Sequence, residues 1–175
     1  MSDAEPRPVP WWQVILLGRN PKVTAIRLLI TVALVVFGWK FLFVPIRVTG
    51  PSMLPNFQNG QRRYLNRLAY VGAEPQRGDV VAIKTSGMHN LFMKRIIALP
   101  GERVRIVQGM VLVNGEPLDE PYVPKRQPWN WPTDRAEWRL GADEYLFIGD
   151  NRTMPMKDHE FGVQRRDRIA GKVRL

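Results

Sequence analysis

Three serines, seven lysines, two histidines and no cysteine make a short inventory for covalent chemistry in 175 residues. The lack of cysteine excludes a thiolate nucleophile, a disulfide framework and cysteine-ligated zinc. Ser2 lies in the N-terminal tail, so Ser52 and Ser86 remain within the body of the chain. Ser52 has the more distinctive setting, GPSMLPNF, where Pro51 and Pro55 restrict the backbone and hold a small hydroxyl in a rigid turn. That local sequence fits an ordinary turn serine and a nucleophile alike.

A serine nucleophile needs a base to take its proton. A histidine base would be His89 or His159 with a carboxylate, and neither lies in a recognisable setting. The other base that serves serine is a neutral lysine. Lysine has an ordinary pKa of about 10.4 and must lose hydration to act as a base near neutrality. In LFMKRIIAL a period of two puts Phe92, Lys94 and Ile96 on one strand face, which makes Lys94 the best placed of the seven lysines. A strand lysine that reaches out to solvent is the plainer reading of the same residue.

The elements that must position these groups fall into two zones. From Val23 to Pro45 the chain reads VTAIRLLITVALVVFGWKFLFVP, interrupted only by Arg27 and Lys40. As a helix it would be about 34 Å long, enough to cross a hydrocarbon core of about 30 Å. No small-x-small cleavage site follows Lys40, so the run reads as a retained anchor rather than a removed leader. Residues 1–22 form a Pro- and Trp-containing tail with no assignable function. Beyond Pro45 come short β-branched or aromatic runs: 78–85, 91–99, 104–107, 110–113, 145–148 and 161–173. Gln108-Gly109 and Asn114-Gly115 read as hairpin turns. Residues 46–175 are therefore mainly β, a sandwich or partly open barrel. Residues 121–140 form a Pro/Trp-rich insertion, with Trp129, Trp131 and Trp138 either at a membrane surface or in a small satellite core.

The formal charge is +10, with a mean hydropathy of -0.24. The near-neutral hydropathy averages one apolar anchor with a polar domain. Residues 46–175 carry 21 of the 26 Lys and Arg and 14 of the 16 Asp and Glu. Beside a bilayer, that excess of positive charge suits anionic lipid headgroups better than nucleic acid. Charge does not settle the orientation, because basic residues flank both ends of the span.

In order along the chain, GPSMLPNF, RRYLNRLAYV, RGDVVAI, MKRIIALPGE and GDNR resemble the bacterial type I signal peptidases, membrane-anchored serine endopeptidases of the Ser/Lys class. With the anchor and IAGKV near the end, the likeness covers nearly the whole chain. The resemblance implies Ser52 as nucleophile, Lys94 as general base and the Ser52 backbone N–H as part of an oxyanion hole. It also implies that Gly50, Met53 and Met93 border the substrate cleft, and that Asp150, Asn151, Arg152 and Asp158 support the site without reacting. No metal or organic cofactor is implied. The implied partners are preproteins cut after A-x-A-like sites, together with membrane lipid, and no nucleic acid. The implied location is the plasma membrane, spanned once, with the domain on the extracytoplasmic face.

Two departures stand out. Gly50 occupies a position where many members carry a serine whose hydroxyl helps the oxyanion. After GDNR, Pro155 replaces a family serine and Lys157-Asp158-His159 replaces Asp-Ser-Arg, leaving Asp158 displaced by one residue. These departures, with the short insert between Lys94 and GDNR, point to a minimal, specialised or conjugative-transfer-type member. Two other classes compete. A self-cleaving regulatory protease shares the dyad but is normally soluble. A non-enzymatic anchored β module would bind anionic lipid or nucleic acid through Arg165, Arg166, Arg168, Lys172 and Arg174.

Overall fold

The computed structural model describes residues 20–84, 91–124, 137–155, 158 and 162–174. The chain divides into two units, residues 1–41 and 42–175. Helix α1 spans Pro21–Leu42, and most of its residues are Leu, Ile, Val, Ala or Phe. Its Lys22–Trp39 window is long and apolar enough to cross a membrane, and none of it is buried against protein. Side chains such as Leu28, Leu29 and Phe37 are exposed along its length. A core helix would hide this surface; a bilayer removes it from water instead. The apolar run outlasts the helix, because Phe43–Pro45 belong to the first strand rather than to the anchor.

The second unit is mainly β. Its strands are β1 (Phe43–Arg47), β2 (Arg62–Asn66), β3 (Val80–Lys84), β4 (Leu91–Ala98), β5 (Arg103–Val107) and β6 (Met110–Val113). They continue as β7 (Glu116–Pro117), β8 (Glu137–Arg139), β9 (Glu144–Ile148), β10 (Gly162–Arg165) and β11 (Ile169–Arg174). A seven-stranded antiparallel sheet runs β1-β2-β11-β3-β4-β9-β10, and a four-stranded one runs β7-β6-β5-β8. Pro45 is tolerated because β1 is an edge strand. Both expected hairpins form: Gln108 and Gly109 have φ of 48° and 79°, and Asn114 and Gly115 have φ of 53° and 91°. Two consecutive left-handed residues give the turn whose twist matches the flanking strands. The long run 161–173 is broken in two by a 3-10 turn at Arg166–Arg168.

Three apolar clusters fill the unit. Met53 and Phe57 pack with Val48, Leu65, Val80, Ala82 and Val173. Val81, Ile83, Ile96, Tyr145 and Phe147 fill a second cluster, and the small sheet packs on Ile97, Leu146 and Ile148 in the third. Trp138 is partly buried against this third cluster. Trp129 and Trp131 lie outside the described residues. Strand β11 can approach β2 only because residue 171 lacks a side chain: a Cβ there would sit 2.4 Å from the Asn66 carbonyl oxygen. Its φ of +155° is also one that glycine tolerates best. Gly171→Ala is therefore expected to destabilise the domain by about 1–3 kcal/mol, read as a lowered thermal midpoint in the detergent-solubilised chain.

Candidate active site

Ser52 sits on a turn whose backbone is held from both sides. The Leu54 N–H donates to the Pro51 carbonyl at 3.1 Å, and the Phe57 N–H donates to the Met53 carbonyl at 3.0 Å. Met53 and Phe57 are fully buried, so the turn is anchored in the core on the C-terminal side of Ser52. Burying two such side chains stabilises the anchor by roughly 1.5–3 kcal/mol each. On the N-terminal side, the Gly50 N–H donates to Asn59 Oδ1 at 3.2 Å.

Lys94 lies in β4, opposite Val81 of β3, and is only 3% exposed. Its Nζ is 2.7 Å from Ser52 Oγ, across 42 residues of sequence. Removal from water disfavours an ammonium, and an amine at this distance is placed to exchange a proton with the hydroxyl. Ser52 opens onto a cleft of about 510 Å³ that also takes in Gly50, Met53 and Met93. Ile46, Val48, Ala82, Leu91 and Phe92 complete its apolar wall. Of these the sequence reading singled out only Phe92, as a neighbour of Lys94, although Ile46 and Val48 alternate along the chain just before GPSM.

A polar network with a buried centre ties three distant segments together beside the pair. Arg95 follows Lys94 and is likewise buried, and its guanidinium donates to both Asp150 oxygens at 2.8 and 2.6 Å. A third donation from Arg95 reaches the Gly78 carbonyl at 2.7 Å. Asn56 Nδ2, from the Ser52 turn, donates to Asp150 Oδ2 at 2.8 Å and to the Tyr122 carbonyl at 2.7 Å. The Tyr122 ring lies 4.0 Å under the Arg95 guanidinium, and its hydroxyl donates to Glu120. Burial, followed by the Glu120 charge, pushes this phenol well above its ordinary range. Glu120 also pairs with Arg152, which is itself fully buried and donates to the Gly149 carbonyl. Asn151 donates from its backbone to the Ser52 carbonyl and from Nδ2 to the Pro51 carbonyl, each at 3.0 Å.

The structure therefore gathers Ser52, Lys94, Gly50, Met53, Met93 and Asp150–Arg152 in one place. Asp158 is not drawn in: it is exposed, and among the described residues its carboxylate makes no hydrogen bond or ion pair. Its backbone N–H donates to Pro155. His89 and His159 lie outside the described residues. Arg95, Asn56, Glu120 and Tyr122 went unread in the sequence. The one available signal was a second cation, Arg95, in an apolar strand, where burial demands a carboxylate. The basic C-terminal patch is largely neutralised: Arg165 pairs with Asp143, Arg166 with Glu74 and Lys172 with Asp79. The Arg166 hydrogen bond holds the Glu74 carboxyl below its ordinary range.

The family described as "Signal peptidase, peptidase S26" matches residues 22–175. A probable signal peptidase I-2 of Synechocystis sp. is 33% identical over 132 residues, covering 72% of this chain and 59% of that protein. A signal peptidase I of Leptolyngbya laminosa is 31% identical over 134 residues, covering 72% and 64%. One from Bacillus amyloliquefaciens is 34% identical over 154 residues, covering 82% and 78%. The chain thus matches less than two thirds of the first two relatives' length.

Removing one partner from a buried ion pair strands the other charge. Asp150→Ala should therefore destabilise the domain by about 3–5 kcal/mol, whereas the paired replacement Arg95→Met with Asp150→Leu should recover most of that loss in denaturant unfolding.

Proposed function

The chain belongs to the signal peptidase family, peptidase S26, and from that premise we propose that it is a membrane-bound serine endopeptidase that removes signal peptides from translocated preproteins. The observation that carries this reading is the 2.7 Å approach of the buried Lys94 Nζ to Ser52 Oγ, a residue that lines the cleft. An extended substrate segment lies along the cleft through main-chain hydrogen bonds, and shallow apolar pockets admit small side chains. Neutral Lys94 takes the Ser52 proton, the hydroxyl donating, as Oγ attacks the scissile carbonyl. The Ser52 N–H meets the charge that develops on the carbonyl oxygen. As the tetrahedral intermediate collapses to an ester, Lys94 returns the proton to the leaving amine. Lys94 then activates a water, whose attack frees the acyl group.

Burial supports the role given to Lys94, because water would otherwise stabilise its ammonium form. Gly50, Met53 and Met93 shape the cleft, and Asp150, Asn151 and Arg152 hold it from behind. Residues 23–45 serve as the anchor region, within which the helix ends at Leu42. The anchor places the domain at the extracytoplasmic face of the plasma membrane, where the domain's surplus positive charge attracts anionic headgroups. Tethering in that plane raises the effective concentration of substrates that emerge there. The ion-paired state of the C-terminal patch counts against the nucleic-acid reading.

In detergent, the chain should cleave an A-x-A preprotein at the small-x-small site. Ser52→Ala and Lys94→Ala should each abolish cleavage while leaving the circular dichroism spectrum unchanged. Full activity in Ser52→Ala would overturn the reading. The base must be unprotonated, so kcat/KM should fall as the pH is lowered. A flat acid limb would remove lysine from the mechanism.

A further inference from the structure

Among the described residues the Ser52 N–H meets no acceptor, so its direction must be set by the peptide plane that carries it. The Pro51–Ser52 bond is trans, and in a trans peptide the carbonyl and the N–H point in opposite directions. Whatever fixes the Pro51 carbonyl therefore aims the Ser52 N–H. Two donors hold that carbonyl: the local Leu54 N–H at 3.1 Å and, from 100 residues away, Asn151 Nδ2 at 3.0 Å. The Asn151 backbone N–H holds the next carbonyl, that of Ser52, at 3.0 Å. One residue thus grips the planes on both sides of the serine Cα.

The Asn151 carboxamide is itself oriented. The Thr153 hydroxyl donates to its Oδ1 at 2.6 Å, and the Thr153 backbone N–H donates to the same atom at 3.2 Å. Two donors at one end require that end to be oxygen, which turns the NH₂ toward Pro51. Thr153 belongs to the segment TMPMKDHEFG, whose sequence departs from the family pattern, and Gly50 offers no side-chain hydroxyl to an oxyanion.

We propose that Asn151, oriented by Thr153, is the positioning residue that aims the Ser52 N–H at the oxyanion. The inference rests on the reading of Ser52 as nucleophile. Asn151 touches no reacting atom and acts entirely through the Pro51–Ser52 peptide plane. Its effect is confined to states in which the substrate carbonyl oxygen carries negative charge, so it bears on kcat and not on ground-state binding.

The test is steady-state cleavage of an A-x-A peptide by the detergent-solubilised full chain. Two inhibitors of the same sequence accompany it: a peptide aldehyde, which adds the serine oxygen and fills the oxyanion position, and a reduced-amide peptide, which has no carbonyl there. Asn151→Asp should lower kcat by about tenfold to a hundredfold with KM held within about twofold. It should weaken the aldehyde in proportion and leave the reduced amide unchanged. Thr153→Val should reproduce this pattern at about threefold, and Thr153→Ser should restore wild-type kcat. The acid limb of the pH profile should not move in the two Thr153 variants, which introduce no charge. An unchanged kcat in folded Asn151→Asp, a loss in KM alone, or equal weakening of both inhibitors would overturn the inference. Should Asn151→Asp fail to fold, the Thr153→Val and Thr153→Ser pair decides by the same criteria. A wild-type chain that cleaves no peptide overturns the peptidase reading and the inference together. An active wild type with unaffected variants overturns the inference only.

Discussion

Lys94 and Arg95 are consecutive basic residues on one strand, and both are buried. Alternation sends them to opposite faces of β4, which is what lets the domain treat them differently. Arg95 receives a carboxylate, held by two hydrogen bonds, together with an aromatic face. Lys94 faces the hydroxyl of Ser52. A guanidinium stays charged in any protein, so burying one demands a counter-ion; an amine can answer burial by losing its proton. The geometry of the site follows from this asymmetry. The counter-ion supplied to Arg95 is Asp150, and the segment that delivers Asp150 also delivers the Asn151 bonds that hold the serine's carbonyls.

The polar network also explains how a turn, a strand and a loop far apart in sequence come to one point. Asn56 bridges the turn to Asp150, Arg95 bridges the strand to Asp150, and Glu120 closes the ring through Tyr122 and Arg152. The buried members, Arg95, Asp150 and Arg152, would each cost about 1–3 kcal/mol if left without a partner. Asn56, Glu120 and Tyr122 reach them from the more exposed side.

Much of the fold could be read from the chain. Short β-branched or aromatic runs located β3 through β6 and β9, and Gln108-Gly109 and Asn114-Gly115 located two hairpins because left-handed turns demand such residues. β1 was hidden because its apolar residues merge with those of α1, and hydropathy alone does not mark where a helix gives way to a strand. β2 was hidden because RRYLN carries charge on a strand whose outer face is wet, and β7 and β8 are too short to show a period. Ser52 and Lys94 were legible through motif order, and their approach is a tertiary fact. The partners of Arg95 were not legible, because a carboxylate 55 residues away leaves no local trace. Asp158, which the motif order had brought into the site, has an exposed carboxylate that serves no partner among the described residues.

The stretch between Pro124 and Glu137 is bounded by two fixed points. Tyr122 is held on one side by Asn56 and stacked under Arg95, and β8 is zipped onto β5 on the other, with Glu137 opposite Arg105. Two such points hold the site on either side of the connection without calling on the residues that join them. Doubling the length of a connection costs only about 0.6 kcal/mol of closure entropy. A change of length between Pro124 and Glu137 is therefore cheap in stability, because the geometry around Arg95 rests on Tyr122 and Asn56.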